Sequence, residues 1–189
     1  MTSVIDQIDR ALDMTAAIVR NLTDDRLRTP TPCQGWDVHA ELNHLVGGMR
    51  IFAAELGGTD AGADHEDDWL GTGPQDAFAA AADLDRAAWH RAGALQTTVH
   101  LGFGAVPGPV AALIHLTEVL VHGVDLAIAT GQETLVDERV CEELLTIMRA
   151  MDFGAFRRPG MFGPEVGTPA DAPAHWRLLA FLGRDLSPQ

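Results

Sequence analysis

The fold is decided by one long apolar stretch, Pro109-Val-Ala-Ala-Leu-Ile-His-Leu-Thr-Glu-Val-Leu-Val-His-Gly-Val-Asp-Leu-Ala-Ile-Ala-Thr130, which Gly131 follows. Twenty mostly apolar residues, 110–129, are enough to span a bilayer as a helix. Four polar side chains interrupt the stretch, however, and hydrocarbon penalises such groups heavily. The pattern therefore predicts a soluble protein in which this stretch is a buried helix that ends at a glycine.

The polar residues of this helix, His115, Glu118, His122 and Asp125, share one side. At about 100° per residue they fall within an arc of roughly 80°. The stripe is narrow, contains only acids and imidazoles and is bordered by aliphatic residues, so we expect it to face the interior of a bundle or its mouth. Unpaired buried charges are costly, and a divalent metal would satisfy carboxylates and neutral imidazoles together.

A metal site is predicted at Glu118 and His122, because side chains one helical turn apart can converge on one ion. A third ligand must come from another helix, and the best candidate is His44 in Asn43-His44-Leu45-Val46. Two histidines and one glutamate leave a coordination position open, which is typical of catalytic zinc. The ordinary alternative for Glu118 and His122 is a surface ion pair.

Two further residues of the stripe have open roles. His115 is a candidate fourth ligand, a partner of a ligand, a proton carrier or a hydrogen-bonded core histidine. Asp125 is interpreted as a hydrogen-bond acceptor that supports a ligand or orients a proton.

Apolar periodicity and capping signals predict the rest of the fold. We expect helices over 3–22, 37–56, 74–91, 109–130 and 136–152, a short helix over 174–182 and a hairpin over 97–108. These elements make an all-α bundle of four long helices with one or two additional helices. We place the bundle at 1–153 and a C-terminal extension, packed on the bundle, at 154–189.

Composition excludes some partners. The chain has 27 acidic residues against 13 basic ones and a net charge of −14, which disfavours both nucleic acid and an anionic membrane surface. The N-terminal MTSVIDQIDR carries acids where a signal peptide carries bases. Only Cys33 and Cys141 are present, too few for a disulfide framework, so we expect structural thiols in a reducing cytoplasm. The remaining histidines are predicted to be surface residues: His39, His65, His90, His100 and His175.

Two segments resemble the signatures of a known family. They are Thr31-Pro-Cys-Gln-Gly-Trp-Asp-Val-His-Ala-Glu-Leu-Asn-His-Leu-Val46 and Glu118-Val-Leu-Val-His-Gly-Val-Asp-Leu-Ala-Ile-Ala-Thr-Gly-Gln132. Both are similar to the mycothiol-dependent maleylpyruvate isomerase family, part of the DinB-like superfamily. The tail, from Met161-Phe-Gly-Pro-Glu-Val to Leu182-Gly-Arg-Asp185, resembles the ending of an actinobacterial subgroup of metal-binding proteins.

This resemblance implies a DinB-like four-helix bundle with a divalent metal, usually zinc, on His44, Glu118 and His122. It also implies a low-molecular-weight thiol, mycothiol, as co-substrate, with the metal lowering the thiol pKa for attack on a small electrophile. The expected activity is that of an S-transferase or isomerase. The isomerases carry a separate C-terminal domain, whereas about 36 residues (154–189) follow the bundle here.

Two alternative functions remain at this point. In the first, the metal activates water and the protein is a hydrolase. In the second, the protein is a non-catalytic metal-binding bundle of the stress-response type. In the enzymatic interpretations His115 or Asp125 moves or orients a proton, and the segments 57–73 and 102–108 form the rim of the substrate site. We expect a monomer or a homodimer.

Overall fold

The computed structural model describes residues 2–158, 161–184 and 186. The predicted extension 154–189 therefore includes positions outside the described residues. Within the described part the chain forms six α-helices and one two-stranded sheet, so the all-α prediction is confirmed. The helices are α1 (Val4–Arg20), α2 (Val38–Gly57), α3 (Pro74–Trp89), α4 (Gly108–Thr130), α5 (Glu138–Ala150) and α6 (Ala174–Phe181).

The helices begin and end where capping chemistry places them. Ser3 and Asp6 form a reciprocal capping box at the start of α1. The Asp37 carboxylate accepts the Ala40 backbone N–H at the start of α2. Helix α4 stops at Gly131, whose φ of 71° lies in the left-handed region that glycine adopts without a steric cost.

The first four helices form the bundle. Helices α1 and α2 each pack against both α3 and α4, which closes a ring around the core. Helix α4 is long and apolar enough to cross a membrane, yet 78% of its most apolar window is buried inside the fold. It is the central helix of a packed core, as the charges within it predicted.

Two smaller units complete the described chain. Strands β1 (Thr98–Leu101) and β2 (Gly104–Pro107) pair antiparallel, with Leu101 opposite Gly104, and form the predicted hairpin before α4. Helix α5 packs chiefly against α6, and both lie beside the bundle. The packing of α5 on α6 crosses the predicted boundary at residue 153, and that boundary stays a prediction.

Candidate metal centre

The structure brings His44, Glu118 and His122 together between α2 and α4. Glu118 Oε2 lies 2.9 Å from His44 Nε2 and 3.3 Å from His122 Nε2. One ligand atom from each residue lies within 4.8 Å of the others. Because α4 supplies two of the groups one turn apart and α2 supplies the third, packing of two helices is sufficient to assemble the cluster.

The cluster is buried on one side and open on the other. The His122 side chain is 9% exposed, whereas those of His44 and Glu118 are 26% and 38% exposed. A small molecule can therefore approach the side formed by His44 and Glu118. An open side of this kind is what a three-ligand catalytic metal site needs.

Electrostatics at the cluster favour a cation. Burial alone would lower the pKa of His122, but hydrogen bonds to Glu118 and Glu41 raise it to about 10. Burial alone would raise the pKa of Glu118, but hydrogen bonds from His122 and His44 hold it below its ordinary value. Positive charge is thus favoured between the carboxylates, and a divalent ion on two imidazoles and one carboxylate provides it.

Aromatic rings pack against the two imidazoles of the cluster. The Trp36 ring lies 4.8 Å from the His44 ring and 5.5 Å from the His122 ring, stacked on the latter. His65 stacks on His44 at 4.2 Å, and its Nε2 lies 3.1 Å from the His44 carbonyl oxygen. His65 is exposed, as the surface prediction expected, and the loop that carries it folds back onto α2.

The loop 57–73 is hydrogen-bonded to α2 and packs on it beside the cluster. The Asn43 side chain donates to the Asp67 carbonyl at 2.9 Å and accepts the Trp69 backbone N–H at 2.8 Å. The Trp69 ring lies against Gly47, where a Cβ would come within 2.6 Å of the indole nitrogen. The loop therefore lies beside the cluster, and its role as the rim of a substrate site stays a prediction.

A second set of polar groups lies behind His122. Glu41 Oε1 is 2.5 Å from His122 Nδ1, and Asp125 Oδ2 is 3.7 Å from the same nitrogen. Asp125 also accepts two hydrogen bonds from the Arg184 guanidinium. Burial and the neighbouring Glu41 raise the pKa of Asp125 to about 8, against the opposing effect of Arg184. Sequence analysis missed Glu41, although an acid one turn before His44 on an apolar helix was a usable signal.

His115 is not brought into the cluster. Its Nε2 lies 2.8 Å from Asp85 on α3, and both side chains are buried. The Phe52 ring packs 4.6 Å from the His115 imidazole, and the Trp89 ring also contacts it. Among the alternatives, this environment is that of a hydrogen-bonded core histidine. Asp125 does reach the cluster, behind His122 and away from its open side.

The other histidines and the cysteines have varied surroundings. His90 and His100 are exposed and pair with acids, as expected of surface residues. The surface prediction is wrong for His175, which is 4% exposed and bonds to Glu138 across α5 and α6. Burial raises the pKa of the Cys33 thiol to about 12 and also raises that of Cys141.

A surface cavity of about 1580 Å³ reaches Trp36, which packs on the cluster, but His44, Glu118 and His122 do not line it. It is lined by the segment before α2 and by the chain around α6. Four arginines and one carboxylate, Asp37, line it, so these groups give the lining an excess of positive formal charge in an acidic protein. The four arginines are Arg28, Arg157, Arg158 and Arg184, and the lining also includes Cys33, Trp36 and His39.

The described geometry defines a class of protein, an all-α helical bundle with a candidate metal centre of two histidines and one glutamate. The chain belongs to the family described as the mycothiol maleylpyruvate isomerase N-terminal domain, whose sequence profile matches residues 8–127. This match confirms the resemblance that the two sequence signatures indicated. It includes all three residues of the candidate metal centre.

The curated relatives are mycobacterial. Proteins of Mycobacterium tuberculosis strains CDC 1551 / Oshkosh and ATCC 25618 / H37Rv, each described as uncharacterized, are 37% identical to this chain over 176 residues. The alignment covers 93% of this chain and 94% of each relative. These relatives agree with the actinobacterial subgroup that the tail resembles. No solved structure matches the chain significantly.

Proposed function

We propose that the protein is a zinc-dependent enzyme that either joins a low-molecular-weight thiol, mycothiol, to a small electrophile through its sulfur or uses this thiol to isomerise the electrophile. One observation carries this proposal. Three side chains from two helices, His44, Glu118 and His122, converge with ligand atoms within 4.8 Å of one another, and the cluster is open on one side. Family membership supplies the connection to mycothiol.

The residues at this centre have different roles in the proposed reaction. His44, Glu118 and His122 would hold the ion, and the bound ion would supply Lewis acidity that lowers the pKa of a thiol. The Trp36 ring stacks on His122 and covers one face of its imidazole. The loop 57–73 and the cavity beside Trp36 border the space in which an electrophile would be held at attack distance.

The chain's own thiols are poor candidates for the nucleophile. The pKa of Cys33 is raised to about 12, chiefly by burial, and burial also raises that of Cys141. At neutral pH both remain thiols, and the thiolate is the nucleophilic form. A thiol-dependent reaction in this protein therefore needs a thiol from solution, which supports an external co-substrate.

Cellular location and assembly complete the proposal. We infer a cytoplasmic protein, because its two cysteines are free and low-molecular-weight thiols maintain a reducing compartment. Its partners in this scheme are the thiol and a small-molecule substrate, without nucleic acid or membrane. It would act as a monomer or homodimer.

Metal content tests the centre directly. Single substitutions His44→Ala, Glu118→Ala and His122→Ala should each lower zinc occupancy, measured by elemental analysis of purified protein. His90→Ala is the matched control, because His90 is exposed and pairs with Asp9 away from the cluster. Chelation should also lower the melting temperature of the wild-type protein, since the ion binds the native state. Full occupancy in all three variants would refute the site.

Thiol dependence separates the proposed activity from its alternatives. Adding mycothiol to the cobalt-substituted protein should produce a sulfur-to-metal charge-transfer band in the near ultraviolet. Turnover of electrophilic substrates should require both metal and thiol. Metal-dependent turnover without thiol would instead identify a hydrolase, and metal binding without turnover of either kind would favour a non-catalytic bundle.

A further inference from the structure

The two ring nitrogens of His122 face two different carboxylates. Its Nε2 lies 3.3 Å from Glu118 Oε2, on the side of the candidate metal centre. Its Nδ1 lies 2.5 Å from Glu41 Oε1, on the opposite side of the ring. A histidine that binds a metal through one nitrogen needs a partner for the proton on the other, and Glu41 is placed to accept it.

Burial of the Glu41 carboxylate costs free energy unless neighbouring groups compensate it. Glu41 is 0% exposed, and its second oxygen, Oε2, has no hydrogen-bond partner among residues 2–158, 161–184 and 186. A buried carboxylate is destabilising unless a positive or hydrogen-bonding group compensates it. The His122 imidazole is the group that does so in the described structure.

A second metal ion behind His122 explains these groups less well. Cys33, Glu41, His122 and Asp125 offer ligand atoms within 4.8 Å of one another. However, His122 Nδ1 and Glu41 Oε1 lie 2.5 Å apart, at hydrogen-bonding distance, which leaves no space for an ion between these two atoms. The Arg184 guanidinium donates to Asp125 at 3.1 and 3.2 Å and already supplies positive charge at this place. A cation there would face electrostatic repulsion.

We propose that Glu41 is a positioning residue: it holds the proton on His122 Nδ1 and fixes the ring so that Nε2 faces the metal centre. This inference rests on the proposed metal centre. One turn of α2 then provides both a metal ligand, His44, and the group that positions His122, Glu41, because these two residues are three positions apart. Carboxylates behind metal-bound histidines strengthen metal binding by about 10- to 100-fold.

The first experiment measures zinc affinity by competition with a chromophoric chelator. Glu41→Gln keeps the size of the side chain and an acceptor oxygen but removes the charge. Asp85→Asn is the matched control, because Asp85 is equally buried and bonds at 2.8 Å to another core imidazole, His115. We expect Glu41→Gln to weaken zinc binding by about 10-fold or more, and Asp85→Asn to leave it within about twofold, well short of that effect.

The second experiment observes the proton itself by NMR. The Nδ1 proton of His122 should give a resonance far downfield in the wild-type protein, with or without zinc, because a charged acceptor shortens the hydrogen bond. It should move upfield in Glu41→Gln and stay in place in Asp85→Asn. This measurement on the wild-type protein needs no variant to fold.

The outcomes separate this inference from the proposed function. If Glu41→Gln binds zinc as tightly as wild type, or if the downfield proton is absent, Glu41 does not position His122. If the proton is present and responds to Glu41→Gln while the wild-type protein binds no zinc, the positioning contact stands and the metal centre does not.

Discussion

Substituting Gly123 by alanine tests how closely α1 and α4 approach next to His122. A Cβ at this position would lie 2.2 Å from Thr15 Oγ1 and 2.9 Å from Met14 Cε. Thr15 is fully buried, and its hydroxyl donates to the Val119 carbonyl at 3.3 Å. Because Thr15 is β-branched, it cannot rotate away without losing this bond.

Two terms of opposite sign determine the magnitude. Overpacking a well-packed core costs about 1–3 kcal/mol, and a contact this short belongs at the upper end. Replacing glycine by alanine inside a helix returns about 1 kcal/mol. The free energy of unfolding should therefore fall by about 2 kcal/mol. For a chain of this size that corresponds to a melting temperature lower by about 4–8 °C.

Calorimetry and urea denaturation of metal-free protein measure this loss. Gly48→Ala is the control, because a Cβ there meets its nearest atom, His65 Nε2, at an ordinary 3.5 Å. That variant should be unchanged or slightly stabilised. Adding Thr15→Ala to Gly123→Ala should recover at least about 1 kcal/mol through the coupling of the two sites. A Gly123→Ala protein that melts at or above the wild-type temperature would show that the helices do not meet there.

Three other perturbations have defined outcomes. Cys33 should react with iodoacetamide at pH 8 about a thousandfold more slowly than a free thiol, because its raised pKa of about 12 leaves little thiolate. Mass spectrometry follows the reaction, and a rate like that of a cysteine in a model peptide would contradict this prediction. Gly47→Ala should displace the Trp69 indole, because a Cβ at residue 47 would approach the indole nitrogen to 2.6 Å. Red-shifted tryptophan emission and faster proteolysis within 57–73 would show this displacement, and unchanged emission and cleavage would contradict it. Arg184→Ala should lower the free energy of unfolding in urea by about 1–3 kcal/mol, because it removes both hydrogen-bond donors to the fully buried Asp125 Oδ2; an unchanged urea midpoint would mean that this pair is not formed.

The elements of the fold could be predicted from the sequence because their signals are local. The predicted start of the second helix at the Asp37 cap and its end near residue 56 agree with the observed Val38–Gly57. The fifth helix is shorter than predicted, since the Asp137 side chain caps it and it ends at Ala150 rather than at residue 152. Capping and periodicity are read within one or two turns of chain, so they need no tertiary information.

The surroundings of the candidate site could be predicted only in part. Glu118 and His122 are neighbours on one helix, and their spacing is sufficient to associate them. The contacts of His115 with Asp85 and of His122 with Glu41 join residues 30 and 81 positions apart. No periodicity links such pairs, and only the packing of the bundle, with α2 against both α3 and α4, decides which residues of the stripe meet. The stripe therefore separates into a core pair near His115 and a cluster near His122.

The burial of α4 also has a consequence for biosynthesis. The two helices that cover most of α4, α1 and α2, both precede it in the chain. During translation they are made first, so a complementary apolar surface exists before the most apolar helix leaves the ribosome. A circular permutant that begins at Gly108 would reverse this order and present a membrane-length apolar helix with no partner. Such a permutant should aggregate or be mistaken for a membrane segment during synthesis, even though its folded contacts would be the same.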